Sequence, residues 1–530
     1  MHEKKEIVRA TGVVSVATLL SRILGLLRDM VISGHFGASM ATDAFFIAFT
    51  IPNLLRRLFG EGSLTVSFVP VYTEYLMHQP REASRVVHVT TTIVASLLLL
   101  LTIAGVLLTP WIIKLQVFGW KDPELLRLTV LLARICFPYL FFIGLVALAM
   151  GILNAHRHFA APALAPCLLN ISIIACVYIL SPTINPPVLT LAVGVFLGGL
   201  AQLLLQLPFL HYSHITFRVD YDLRHPGLRR ITLMMVPMML GIAAFQFNQV
   251  VNRFLASFLP QGSISYLYYA DRIFEFPLGL FAIALGVAVL PSFSRLVAEG
   301  RVQEFKEEVN FSLRFILFIT IPALVGLAIL RVPILNLLFQ HGAFTYHSTL
   351  MSAQALLCYS FSIWAYGGLN VLSRAFYALE DAKTPVKVAL TALVTNFVLG
   401  VVLMRPLQHA GLALANSLSA ILNVTLLAIL FDRKTGGIHW TSLVFSVFRI
   451  ALAVIPMAFT VFLIKEQGLW TESGGYSAKI ALLCGAILLG MLLYLVCSYL
   501  LKNEELHFLV RGIRSWRYRQ PRSSVPPESP

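Results

Sequence analysis

The amino-acid sequence predicts an all-α, polytopic membrane protein with about fourteen transmembrane helices, and three observations carry that reading. Of 530 residues, 58% are hydrophobic and 12% charged, with a mean hydropathy of +0.80, whereas about a quarter of a soluble domain is charged. Apolar windows of the roughly 20 residues that a spanning helix needs recur along the whole chain and leave no gap for a soluble catalytic domain. The loops between them alternate between basic and charge-poor, as loops on opposite faces of a membrane do. This bias also explains the formal charge of +15 without a nucleic-acid partner. An enzyme is disfavoured at this stage.

Taken in order, the windows lie near 9–33, 40–75, 85–112, 125–154, 160–180, 187–211, 228–258, 263–295, 306–330, 345–379, 385–404, 409–431, 441–464 and 477–501. The first follows Lys4, Lys5 and Arg9 as a signal peptide would, but it contains Arg22, Arg28 and Asp29 and runs into further spans. It is read as a retained helix. The second outruns the hydrocarbon layer, crosses the boundary near 60–62 and continues as an amphipathic segment; the eighth does the same after Pro291. Gly194 and Gly198 read as a close helix contact. Cys136, Cys167, Cys176, Cys358, Cys484 and Cys497 sit in apolar runs without ligand spacing, so they read as packing residues. The pattern calls for no metal and no other cofactor.

The basic loops hold Lys4, Lys5, Arg81, Arg85, Arg157, Arg218, Arg224, Arg229, Arg230, Arg295, Arg301, Lys383, Lys387, Arg433, Lys434 and the tail arginines, whereas 34–39, 181–186 and 259–262 hold no Lys or Arg. The basic side is predicted to be cytoplasmic, with both termini there. Pro70 and Pro291, Gly105 and Gly326, and Pro162 and Pro385 recur at a nearly constant offset. That spacing predicts two tandem halves of six helices in the same orientation, two parallel lobes around a central cavity. The expected organisation is an N-terminal lobe 1–212, a cytoplasmic linker 213–230, a C-terminal lobe 231–432, a C-terminal helix pair 433–505 and a basic cytoplasmic tail 506–530.

Five arginines fall at membrane depth: Arg22 and Arg28 in the first window, Arg56 and Arg57 in the second, Arg272 in the eighth. At roughly 2.5–3.5 kcal/mol per buried charge, exposing them all to lipid would forfeit on the order of 10 kcal/mol. They must face a wet interior. Asp29, Asp43, Glu61, Asp271 and Glu275 lie near enough to neutralise or gate them, with Arg57 and Glu61 at i,i+4 and Arg272 and Glu275 at i,i+3. Arg22 and Arg56 have no acid at helical spacing. Arg22 and Arg28 stand about 120° apart on an α-helix, so they share one cavity only if it is wide or the helix bends at Gly25. Arginine binds phosphate oxygens bidentately and keeps its charge, which favours an anionic, phosphate-bearing substrate over a proton-coupled site. Asn248, Asn252, Asn370, Asn396 and Thr395 leave room for a coupling cation, against the plainer reading of hydrogen-bonded helix packing.

At SRILGLLRD (21–29), ATDAFFIAFTIPNLLRRLFGEG (41–62), FVPVYTEY (68–75), YADRIFEFPLG (269–279) and LPSFSR (290–295) the chain closely resembles the MurJ (MviN) family of bacterial lipid II flippases. That family belongs to the multidrug/oligosaccharidyl-lipid/polysaccharide exporter superfamily. The resemblance spans about 7–505. It implies two six-helix lobes plus a helix pair lining a groove for the undecaprenyl tail, in the bacterial inner membrane. It implies functional roles for Arg22, Arg28, Arg56 and Arg272, with Asp43, Glu61 and Glu275 at the acidic positions. The implied substrate and partner is lipid II, undecaprenyl-diphosphate-linked disaccharide pentapeptide, moved to the outer leaflet for peptidoglycan synthesis. The rival is a cation-coupled multidrug or polysaccharide-lipid exporter, which should carry unpaired acids instead of arginines.

Overall fold

The computed structural model describes residues 2–60, 63–213, 215–465, 469–472, 474–509 and 511. Every regular element among them is a helix. The first half of the chain forms α1 (His2–Phe36), α2 (Met40–Gly60), α3 (Ser63–His78), α4 (Pro80–Gln116), α5 (Pro123–Cys136), α6 (Tyr139–Ala155), α7 (Ala160–Leu180) and α8 (Leu189–Tyr212). There follow α9 (Pro226–Ala256), α10 (Ser263–Pro277), a π turn (Leu278–Ala282), α11 (Ile283–Ala298), α12 (Val302–Phe339), α13 (Tyr346–Ser360), α14 (Ile363–Ala378), α15 (Lys383–Thr435), α16 (Trp440–Lys465) and α17 (Tyr476–Leu500).

Ten helical stretches among the described residues are long and apolar enough to cross a membrane. One of them, α15, covers two of the windows read from sequence and consists of two helices that meet at a kink, where Gln408 has the non-helical φ 50°, ψ −130° just after Pro406. Three windows fall outside the ten, those of α1, α2 and α9. They carry Arg22, Arg28 and Asp29, then Arg56 and Arg57, then Gln246, Asn248, Asn252 and Arg253. Charged and amide side chains thus set these three apart, while Asp271, Arg272 and Glu275 lie within one of the ten, on α10. The fourteen windows are each occupied by helix, and the elements are consistent with that count.

The chain divides into two compact units: Met1–Tyr269 with Leu338–Thr349 and Met404–Leu412, and Ala270–Leu337 with Leu350–Leu403 and Ala413–Pro530. In the first, Leu64, Ser67, Phe68, Val71 and Tyr72 of α3 form one buried helical face. They pack with Val86 of α4 and Leu140 and Ile152 of α6. A Cβ at Gly194 would lie 2.7 Å from the Ile173 Cα, and one at Gly198 2.7 Å from the Leu169 side chain. Only glycine lets α7 and α8 approach that closely. Cutting off any large member of the α3 cluster costs about 2–5 kcal/mol in a close-packed interior.

In the second unit Phe293, Phe305, Val371, Phe376, Leu427 and Phe431 join α11, α12, α14 and α15. A second cluster seats α16 and α17 on α12 through Phe318, Leu330, Ile450, Val454, Met457 and Tyr494. The Tyr494 hydroxyl donates to the Phe318 carbonyl at 2.7 Å. The other face of α16 exposes Val444, Phe448, Ile455, Phe459 and Phe462, a stripe suited to acyl chains and to no aqueous surface. The turn before α15 is tied to the end of that helix. Lys434 donates to Asp381 at 2.6 Å, and with the Thr384 donors this pushes the Asp381 carboxyl down to about 2.

Candidate functional site

Arg28 and Asp29 are consecutive on α1, and side chains at that spacing ordinarily point apart. Here both turn the same way: Arg28 Nε and Nη2 donate to Asp29 Oδ1 at 3.0 and 2.7 Å. Nη1 donates to Asn170 Oδ1 at 3.1 Å, and Nη2 to the Tyr268 hydroxyl at 3.2 Å. Tyr268 in turn donates to Asp29 Oδ1 at 3.0 Å, its ring stacked on Phe46 at 3.8 Å. Asn170 is fixed by donating to the Ser21 carbonyl at 3.2 Å. Arg28 is 8% and Asp29 1% exposed. Such a pair resists dissection, because removing one partner leaves the other charged and buried.

Asp43 does not face an arginine. Its Oδ2 accepts from Gly262 N at 2.7 Å, and its Oδ1 accepts from Ser265 N at 2.8 Å and Ser265 Oγ at 2.5 Å. The carboxylate of α2 therefore caps the N-terminus of α10, where unpaired backbone N–H groups and the helix dipole favour an anion. Asp43 thus caps a helix that begins about two hundred residues further along the chain. Nearby, the last two turns of α1 receive a segment from some three hundred residues further along the chain: Ala343 N donates to the Gly34 carbonyl at 2.8 Å, and His341 Nε2 lies 3.1 Å from the Met30 carbonyl. Gly37 has φ +64°, and a Cβ there would also lie 2.5 Å from the Ala343 carbonyl oxygen. No other residue fits this turn without strain.

The remaining arginines differ in their surroundings. Arg22 is exposed, and α1 continues unbroken through Gly25, so Arg22 and Arg28 present different faces. Arg56 Nε donates to Asn53 Oδ1 at 3.0 Å. Arg57 Nη1 reaches Gln246 Oε1 at 3.4 Å, while its buried Nε has no acceptor. Its expected partner, Glu61, lies outside the described residues. In the second unit Arg272 pairs with Glu275 at 3.5 Å, as the i,i+3 spacing predicts, and Asp271 beside it is half-buried.

Sequence reasoning passed over four contributors. Asn170 and Tyr268 fix Arg28, Gln246 receives Arg57, and Arg253 donates to the Phe46 carbonyl at 2.6 Å and to Thr50 Oγ1. Each is a polar residue inside an apolar window, the one signal that could have marked it. Arg374 on α14, four residues after Asn370 where a cation site would want an acid, lies in the space left by Gly286, whose Cβ would come 2.7 Å from its Nε. That nitrogen is buried and has no acceptor.

Apolar helices that gather their guanidinium, carboxylate and amide groups on a few broken or less apolar members define a multi-pass membrane transporter. A family model described as lipid II flippase MurJ matches residues 32–483. A Vibrio cholerae protein named as a probable lipid II flippase MurJ is 38% identical over 514 residues, 94% of this chain and 96% of its own. The lipid II flippase MurJ of Burkholderia cenocepacia is 37% identical, over 81% of this chain and 84% of its own. The chain belongs to the MurJ family. A solved structure of lipid II flippase MurJ in an inward closed conformation superposes with a TM-score of 0.76 at 31% identity, over 92% of this chain and 98% of that one. A multidrug resistance MATE transporter of the MOP superfamily in an inward-facing conformation shares the fold, with a TM-score of 0.64 at 16% identity, over 80% of this chain and 98% of its own.

Proposed function

We propose that this chain is an alternating-access flippase that carries lipid II from the cytoplasmic to the outer leaflet of the bacterial inner membrane, with Arg22, Arg28, Arg56, Arg57 and Arg272 serving the diphosphate. The observation that carries the reading is the buried Nε of Arg57, a guanidinium nitrogen left without a protein acceptor. Buried donors are rarely unpaired in a settled structure, and an incoming phosphate oxygen is the acceptor they match. Family membership supplies the identity of the cargo. The sequence halves 1–212 and 231–432 are the moving lobes, joined by the linker 213–230. The helix pair 433–505 takes the undecaprenyl tail, and both termini, with the basic tail 506–530, face the cytoplasm.

Arg28 enters the cycle through competition. In this conformation Asp29, Asn170 and Tyr268 engage its guanidinium. A diphosphate that draws Arg28 away removes the bond from Arg28 Nη2 to the Tyr268 hydroxyl, one of the contacts that hold α1 to α10. Asp43 on the N-terminus of α10 holds the same end closed, and Asp29, Asp43, Glu61, Asp271 and Glu275 are the gating and charge-pairing carboxylates. Cargo binding is thereby coupled to opening.

The chain catalyses no bond change in this scheme, and the energy comes from the cargo's own charge. Moving about two negative charges out of a cell with a negative interior is worth roughly 2.3 kcal/mol per charge per 100 mV if the field acts across the whole path. The test is flipping of labelled lipid II by the full chain in vesicles, with the potential collapsed at fixed pH and sodium gradient. Turnover should fall steeply when the potential is removed. Unchanged turnover would refute the drive by potential and point to a coupling cation; absence of flipping under any condition would refute the flippase reading.

A further inference from the structure

Between α8 and α9 the chain has no regular secondary structure over 215–222, and apolar and charged residues alternate along it: Phe217, Arg218, Val219, Asp220, Tyr221, Asp222, Leu223, Arg224. The two acids of this stretch are held by α4, while its arginines are exposed. Arg85 Nε donates to Asp220 Oδ2 at 3.3 Å and its Nη2 to Asp222 Oδ2 at 3.0 Å. Asp220 N donates to Thr92 Oγ1 at 3.1 Å, and Arg218 N to His88 Nδ1 at 3.3 Å. The apolar residues are bare: Phe217, Val219, Tyr221 and Leu223 are 48%, 77%, 63% and 68% exposed. Four exposed apolar side chains at every second position of a nine-residue stretch are a liability in water.

Their position on α4 explains them. The contacts run from Arg85 to Ser96, about 16 Å of helix, and the Tyr221 hydroxyl reaches Ser96 Oγ at 3.3 Å. Directly beyond Ser96 the exposed surface of α4 turns apolar, with Leu97, Leu99, Leu100, Ile103 and Leu107. Tyr221 therefore sits where the polar end of a spanning helix meets its lipid-facing band, the level at which aromatic rings with a polar tip collect. Arg218 and Arg224 flank the apolar residues within the same segment.

We propose that 216–224 is an interfacial anchor: its apolar side chains enter the acyl–headgroup boundary of one leaflet, its arginines meet anionic lipid headgroups, and its acids fasten it to α4. A soluble partner fits poorly, since the apolar surface is continuous with leucines of a membrane-crossing helix. The anchor fixes the point from which the second half of the chain departs, so α9 starts from a place tied to both α4 and the membrane surface. Only the naming of that leaflet as cytoplasmic rests on the orientation proposed above.

The test places a diazirine amino acid at Val219 or Leu223, with Arg218 as comparator, in the full chain reconstituted in vesicles of phosphatidylethanolamine and phosphatidylglycerol. Irradiation should give lipid adducts at 219 and 223 several-fold above those at 218, and exchanging phosphatidylglycerol for phosphatidylcholine should lower them. Equal adducts at all three positions, or water quenching alone at 219, would overturn the anchor. Adducts to a protein at 219 in intact cells would overturn it in favour of a docking surface. Arg85→Ala, which leaves the apolar residues intact but removes their hold on α4, should reduce the adducts at 219; no change would show that α4 does not place the segment. None of these readouts depends on transport, so their failure and the failure of the flippase reading are separable.

Discussion

Replacement of Arg28 by alanine is expected to abolish complementation of a strain depleted of this protein. Losing a charge-assisted, bidentate donor set costs about 3–4 kcal/mol at a transition state that needs it, or roughly 10²–10³ in rate. The same change strands Asp29, 1% exposed, without its cation, which destabilises a buried pair by about 3–5 kcal/mol. Failure of the single variant to accumulate would therefore say nothing about cargo. The double variant Arg28→Ala with Asp29→Asn removes the stranded charge and should insert and fold while still failing to transport. Arg22→Ala and Arg272→Ala should also fail, the first without loss of folding because Arg22 is exposed. Lysine at these positions should restore function only in part, since a point charge cannot reproduce the planar fork. Normal complementation by the alanine variants would remove the diphosphate clamp from the account.

The second large effect is expected at Asp43. Leucine there strips three donors, Gly262 N, Ser265 N and Ser265 Oγ, of their acceptor. Loss of an N-cap costs about 0.5–2 kcal/mol and a buried unpaired donor about 1–3 kcal/mol. A weakening of only 1.4 kcal/mol shifts the closed-to-open ratio tenfold. A cysteine introduced at Ile264, 4% exposed in the closed arrangement, should then react with a membrane-impermeant thiol reagent about ten times faster in Asp43→Leu than in the otherwise unchanged chain, with transport lost. Asp43→Asn keeps one acceptor oxygen and should fall between the two. Unaltered labelling and transport in Asp43→Leu would show that the cap does not hold this end of α10 closed.

These two sites mark how far the sequence could be read. The helices were legible because apolar windows and their breaks are local properties: the Gln408 kink separates windows read as distinct helices. The arginines were legible because each is conspicuous in an apolar run. The spacing of Arg272 and Glu275 even gave their pairing. Asp43 was visible as an acid at a helix start, but its partner is a backbone 219 residues away, and no periodicity encodes a contact at that separation. Asn170 and Tyr268 were hidden for the same reason. The linker was read only as polar and basic, because a window average over 213–230 cancels the alternation of Phe217, Val219, Tyr221 and Leu223 with charged residues.

The central claim is that this chain moves lipid II to the outer leaflet, and leaflet-resolved accessibility of lipid II in depleted cells tests it most directly. A membrane-impermeant probe that recognises the lipid II headgroup is applied to cells with the outer membrane made permeable. Depletion should lower the externally accessible pool while total lipid II accumulates, and the wild-type chain should restore the pool whereas Arg22→Ala should not. An externally accessible pool that persists unchanged through depletion would contradict the account.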